Sequence, residues 1–128
     1  MSTLITSGIK ISVSTNFRSD LSEGLESSYF FNYTIEIQNQ NDYDVQLLSR
    51  DWYIFDSLGD ARYVNGVGVV GEQPVLKPYE RYKYTSGCDL RSEIGIMKGF
   101  YTFKSLVDHS LFEVFVPAFK LEFPYRLN

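Results

Sequence analysis

Apolar residues in this chain recur every second position over most of its length, the period of a β-strand with one face packed and the other wet. Ile9, Ile11, Val13 and Phe17 alternate with Lys10, Ser12, Ser14 and Asn16. The alternation is cleanest from Tyr29, where Phe31, Tyr33, Ile35 and Ile37 share its face and Asn32, Thr34, Glu36 and Gln38 take the other. Residues 18–28, between these two runs, are polar, contain Gly24 and have no amphipathic stripe, which predicts a loop. Asn39-Gln40-Asn41-Asp42 reads as a turn, because Asn and Asp tolerate left-handed backbone angles, and it predicts a hairpin with the strand that follows. That strand, 45–55, has Leu48, Trp52 and Ile54 on one face and Leu47, Tyr53 and Phe55 on the other, interrupted by Arg50 and Asp51. Apolar residues on both faces predict an internal position.

After the turn Ser57-Leu58-Gly59-Asp60, residues 61–64 lead into Val64-Asn65-Gly66-Val67-Gly68-Val69-Val70-Gly71-Glu72-Gln73-Pro74. Further strands are predicted at 79–86 and at 96–106. Phe112, Val114 and Val116 predict another strand, stopped by Pro117, and Phe119, Leu121 and Phe123 a closing one. About seven or eight strands with frequent turns give an all-β fold, an antiparallel sandwich of the immunoglobulin or fibronectin type III kind. No internal repeat or low-complexity segment interrupts it.

Length and composition agree with one domain, with its core at about 9–124. The chain has 128 residues, is 44% hydrophobic and carries ten Tyr and ten Phe, which excludes a disordered chain and favours strands. No apolar run approaches the roughly 20 residues that span a bilayer, and Met-Ser-Thr-Leu-Ile-Thr is not a secretory signal, so the expectation is a cytosolic protein with no membrane partner. With one cysteine, Cys88, and one histidine, His109, the chain can form neither an internal disulfide nor a Cys/His zinc cage. The net charge of −4 is unevenly spread, with three Lys/Arg against nine Asp/Glu up to Asp60 and nine against seven beyond it. That balance argues against broad nucleic-acid binding while leaving room for a local anion site.

Gly66, Gly68 and Gly71 spell GxGxxG, but Pro74 and Pro78 follow too soon for the helix that would complete a dinucleotide site. The longer string is more informative. Gln46-Leu47-Leu48-Ser49-Arg50-Asp51-Trp52, the run from Gly66 to Pro74, Tyr84-Thr85-Ser86-Gly87, Met97-Lys98-Gly99-Phe100-Tyr101 and Val116-Pro117-Ala118-Phe119, in this order, resemble the ApaG family over essentially the whole chain. The resemblance implies a small cytosolic sandwich similar to fibronectin type III domains, found alone in bacteria and within eukaryotic F-box and polymerase-interacting proteins, where it looks like a protein-binding unit. It also implies a link to cobalt and magnesium efflux, a gene neighbourhood shared with dinucleoside tetraphosphate hydrolysis, and pyrophosphate binding through the glycine stretch. Two positions depart from the family pattern: Asp51 stands where relatives have His, and Tyr79 where they have Gly. A carboxylate at position 51 cannot replace a histidine donor and repels an anion.

No catalytic set is visible: Asp108, His109 and Ser110 are adjacent in what reads as the last hairpin turn, where neighbouring side chains point apart. Cys88 reads as a buried or half-buried thiol at a strand end and Trp52 as a core aromatic. Arg50, which shares a strand face with Trp52 by spacing, must find a carboxylate or several carbonyls if buried, with Glu72 the candidate partner. The glycines read first as a bulge, tight turn or close crossing, and secondly as an anion-binding nest of backbone amides. Acidic spacing shows no recognisable divalent site, and no cofactor is expected. The expected activity is therefore a non-catalytic binding module. Its expected site is Arg50, Gly66, Gly68, Gly71 and Glu72, and its expected partner is another protein, with a phosphate-containing small molecule as the alternative. An open edge strand also allows a homodimer.

Overall fold

A computed structural model describes residues 1–19 and 29–124. The loop expected at 18–28 falls for the most part outside the described residues. Among these residues nine strands follow in chain order: β1 Ser2–Thr6, β2 Ile9–Phe17, β3 Tyr29–Asn39, β4 Val45–Asp56, β5 Ala61–Val67, β6 Val75–Leu76, β7 Arg81–Leu90, β8 Ile94–Ser105 and β9 Leu111–Glu122. They form two antiparallel sheets, one in the order β1-β2-β3-β7 and the other β5-β4-β8-β9, with β6 also pairing on β4. Among the described residues no helix is long and apolar enough to cross a membrane.

The alternation seen in the sequence is what closes the sandwich. Ile9, Ile11 and Val13 of β2 and Phe31, Tyr33, Ile35 and Ile37 of β3 face Leu47, Trp52, Met97, Tyr101, Phe103 and Val114 of the other sheet, all of them buried. Their burial supplies the main stabilisation, about 1.5–3 kcal/mol for each large apolar side chain.

Two strands hold their inward face only because each carries one extra residue. Along β4 the buried positions are Val45 and Leu47, then Trp52 and Ile54, a change of phase. The change occurs where Leu47 pairs with Phe103 but Ser49 with Thr102, leaving Leu48 as a bulge residue. The apolar residues on both faces of β4 thus reflect a bulge as well as an internal position, and Tyr53 and Phe55 point to solvent. In β9 the buried positions change from Val114 and Val116 to Phe119 and Leu121. There Met97 pairs with Phe119 and Gly99 with Val116, so Pro117 and Ala118 together oppose Lys98. Pro117 does not end the strand as the sequence suggests. At a bulge its missing N–H breaks no ladder bond, and the two expected strands are one.

Other boundaries differ for equally local reasons. β1, not foreseen, forms because Ser7-Gly8 makes a two-residue hairpin turn with positive φ at both positions, 50° and 77°. β7 begins after Tyr79 and Glu80 and continues to Leu90, which places Cys88 inside a strand and not at its end. The hairpin expected between β3 and β4 is a crossover between sheets. Its turn is fixed by the fully buried Asn39, whose Nδ2 donates to the carbonyls of Tyr43 (2.8 Å) and Leu76 (3.0 Å) and whose Oδ1 accepts from the Asn41 amide.

The sandwich is closed on one side, where β9 packs against β1 and β2 and the Phe115 amide donates to Thr6 Oγ1. On the opposite side β5 and β7 are the outermost strands of their sheets.

Candidate functional site

The glycine stretch runs along the edge of β4 beside its bulge. β5 pairs with β4 from Ala61 to Val67, the chain then leaves the ladder, and β6 returns to pair Val75 with Gln46. Between them Val69 and Glu72 exchange both backbone hydrogen bonds, 2.8 and 2.9 Å, across a two-residue turn with φ of 42° at Val70 and 81° at Gly71. Two consecutive positive φ values are what a type I′ turn needs, and Gly71 meets the requirement without strain. Gly68 also has positive φ, 66°, and a Cβ there would collide with the Glu72 carbonyl. The segment is pinned to the bulge: the Gly68 amide and Gln73 Nε2 both donate to the Leu48 carbonyl, 2.8 and 3.0 Å, and Val69 is fully buried.

Arg50 lies directly opposite Gly66 in the β4–β5 register. A Cβ at Gly66 would sit 2.8 Å from Arg50 Nη2, so the absence of a side chain is what lets the guanidinium cross the strand. Its Nη1 then donates to the carbonyls of Val67 (3.1 Å) and Gly68 (2.7 Å). Arg50 thus finds carbonyls and not Glu72, whose Oε1 accepts instead from Tyr82 (2.8 Å). The structure brings together Arg50, Gly66 and Gly68, with Gly71 and Glu72 in the adjoining turn. The amides of Val69 and Glu72 are engaged within the segment and that of Gly68 by the Leu48 carbonyl, which leaves fewer donors for a phosphate nest.

Asp51, the departure from the family pattern, points the other way. Its carboxylate accepts from the Tyr63 hydroxyl on the outer face of the five-stranded sheet and raises that phenol's pKa. Around this pair the outer face carries exposed Tyr53 and Phe55 on β4, Ile96 on β8 and Phe115 on β9. Tyr53 and Tyr63 are tilted rings 4.9 Å apart, and Lys98 Nζ lies 5.6 Å from the centre of the Phe55 ring.

Among the described residues β5 pairs only with β4 and is an open edge. The Asp56 amide bonds to the Asp60 carbonyl and the Gly68 amide to the Leu48 carbonyl. Because bonded and non-bonded positions alternate in an antiparallel pair, Arg62, Val64 and Gly66 bond to β4, and Tyr63, Asn65 and Val67 turn their amides outward. From Tyr63 to Val67 there is no charged residue, and Val67 is 73% exposed. Natural edges are commonly blunted by charge, as β7 is by Arg81, Lys83 and Asp89. This open strand could not be read from the sequence, where 61–64 served only as a lead into the glycines.

Between the sheets, Tyr84 and Tyr101 hydroxyls meet at 2.5 Å. Burial raises both phenol pKa values well above the ordinary 10.0, and raises that of Tyr33 as well. Burial also pushes the Cys88 thiol up to about 11, against a smaller opposing effect of Arg62. At the far end of the molecule His109 sits in the β8–β9 turn with φ of 63°, and Asp108 Oδ1 accepts from the Ser110 amide and hydroxyl.

Two packed antiparallel sheets, a bulged central strand and a glycine crossover tied down by an arginine define a small antiparallel β-sandwich. The profile of the ApaG domain (DUF525) matches residues 19–105, and the chain belongs to that family. It is 46% identical over 125 residues to Protein ApaG of Beijerinckia indica, covering 98% of this chain and 95% of that one. It is 47% identical over 120 residues to Protein ApaG of Methylobacterium radiotolerans, covering 94% and 92%. A crystal structure described as an ApaA protein from Bordetella pertussis superposes with a TM-score of 0.87 at 37% identity, over 91% of this chain and 94% of that chain.

Proposed function

We propose that this chain is a non-catalytic binding module that engages another protein by accepting an extended segment of it along β5, and that it acts in this way in cobalt and magnesium efflux. The observation that carries the reading is the uncharged edge from Tyr63 to Val67, unpaired among the described residues, with amides of Tyr63, Asn65 and Val67 turned outward. Strand addition takes its affinity from such main-chain groups and its specificity from side chains beside them. Here the neighbours are Tyr53, Tyr63 and Phe55, large and partly rigid aromatic surfaces of the kind that anchor interfaces. Arg50 and the glycine crossover hold the end of β5 in place, so the residues expected as a site support the edge from behind. The cation belongs, in this reading, to the partner. Among the described residues no three His, Cys, Asp or Glu side chains converge to hold a metal ion.

Asn65→Pro tests the proposal, because it removes an outward amide without touching a β4 ladder bond. In a bacterium lacking its own copy of the gene, wild type is expected to restore tolerance of elevated cobalt and Asn65→Pro, folded and equally abundant, to fail. Full restoration by Asn65→Pro overturns the strand-addition reading.

A further inference from the structure

Where the two sheets part, on the β5–β7 side, they leave a cleft of about 210 Å³. Trp52 is one of its walls. The indole carbon Cε3 lies toward Gly99 of β8, where an added Cβ would be 2.9 Å from it, so the pyrrole edge with Nε1 turns toward β5 and the cleft. The residue is 3% exposed, and Nε1 has no hydrogen-bond partner among the described residues. A buried N–H left without an acceptor is rare and calls for one. Arg50 lines the same cleft. Its Nη1 is held by the two crossover carbonyls, and among the described residues neither Nε nor Nη2 has a partner and no carboxylate pairs with it. At the mouth Arg62 pairs with Asp89 at 3.4 Å. Two guanidiniums against one carboxylate leave a single positive charge.

We propose that this cleft binds a carboxylate with a small apolar body, one oxygen on the free edge of Arg50 and the other accepting from the indole N–H of Trp52. The planar pairing of guanidinium with carboxylate matches what Arg50 has left to offer. Ile54, Met97 and Val64 supply the apolar wall for the rest of the molecule. A phosphate dianion fits less well, since its second charge meets Asp89 with no further cation to balance it. The indole N–H is closed from solvent, so the side chains around it shift slightly when the ligand enters. This inference is independent of strand addition on β5, and either can fail without the other.

The chain has one tryptophan, so its indole N–H gives a single cross-peak in a ¹⁵N-labelled sample and reports on the site directly. The probes are sodium butyrate, butyramide, sodium phosphate and sodium chloride at matched ionic strength. A short acetylated peptide with a free C-terminal valine, and its amide, separate a free acid from a chain terminus. The expected result is a saturable shift with butyrate or with the free-acid peptide, at least tenfold weaker with the matching amide, and no saturable shift with chloride or phosphate. Arg50→Gln is expected to weaken binding at least tenfold. Should that variant not fold, Val64→Phe at the exposed mouth fills the cleft while leaving the Arg50 bonds intact, and the same loss is expected. Saturation by phosphate alone, an equal response to acid and amide, or no saturable shift with either acid overturns the proposal.

Discussion

At Val70 the backbone takes a φ of 42°, a value that β-branched residues avoid, because the two-residue turn between Val69 and Glu72 needs positive φ at both of its central positions. Tyr79 has the same difficulty at 67°, in the turn where the family pattern has glycine. Both residues are exposed, so nothing in their packing requires them. Val70→Asn and Tyr79→Gly are each expected to stabilise the protein by about 1 kcal/mol in urea denaturation, by removing this strain. Gly68→Ala should do the reverse, losing about 2–3 kcal/mol, because it adds strain and collides with the Glu72 carbonyl. Gly71→Ala, with open space around it, should lose only about 1 kcal/mol. The order of the two glycine variants checks the claim that the glycine stretch is first a crossover. Cys88 carries a separate expectation. Its thiol, buried and raised to about 11, should react with a disulfide reagent at pH 8 only after denaturation.

Among the elements, the long strands were legible because their alternation is unbroken: β2 and β3 begin and end where the side-chain pattern says they do. β4 and β9 were legible only in part. A bulge resets which residues face inward, and in the sequence that reset looks like a two-faced strand in one case and a strand end at Pro117 in the other. The choice of partner strand lies beyond local pattern altogether, which is why the β3–β4 turn read as a hairpin although it crosses between sheets. The same limit applies to the site. That Arg50 must find carbonyls or a carboxylate followed from its fixed charge. That the carbonyls are those of Val67 and Gly68, reached over Gly66, depended on the β4–β5 register. The open edge of β5 and the cleft beneath it are relations between strands, and no single segment announces them.

For the whole molecule, three buried phenols and one buried thiol among the described residues set the behaviour in alkali. Tyr33, Tyr84 and Tyr101 have folded pKa values raised by burial, and Cys88 is raised from the ordinary 9.0 to about 11. A folded pKa above the unfolded one means the unfolded chain loses its proton first, so stability is retained below the unfolded pKa and falls as pH climbs through the interval. Stability should therefore hold to about pH 9 and then decline, with Cys88 alone removing about 2–3 kcal/mol by pH 11. Cys88→Ala should flatten the first part of that decline, which denaturant titrations between pH 8 and 11 can check.

The two faces of the sandwich give the central claim its most direct test. A photo-crosslinking amino acid is placed at Val67, on the β5 edge, and in a second strain at Thr34, on the outer face of the other sheet, and both are irradiated in living cells. Strand addition predicts a discrete crosslinked species at position 67 that is absent at position 34 and is lost when Asn65→Pro is introduced. The same species at both positions, or its persistence with Asn65→Pro, contradicts the claim that β5 is where this domain meets its partner.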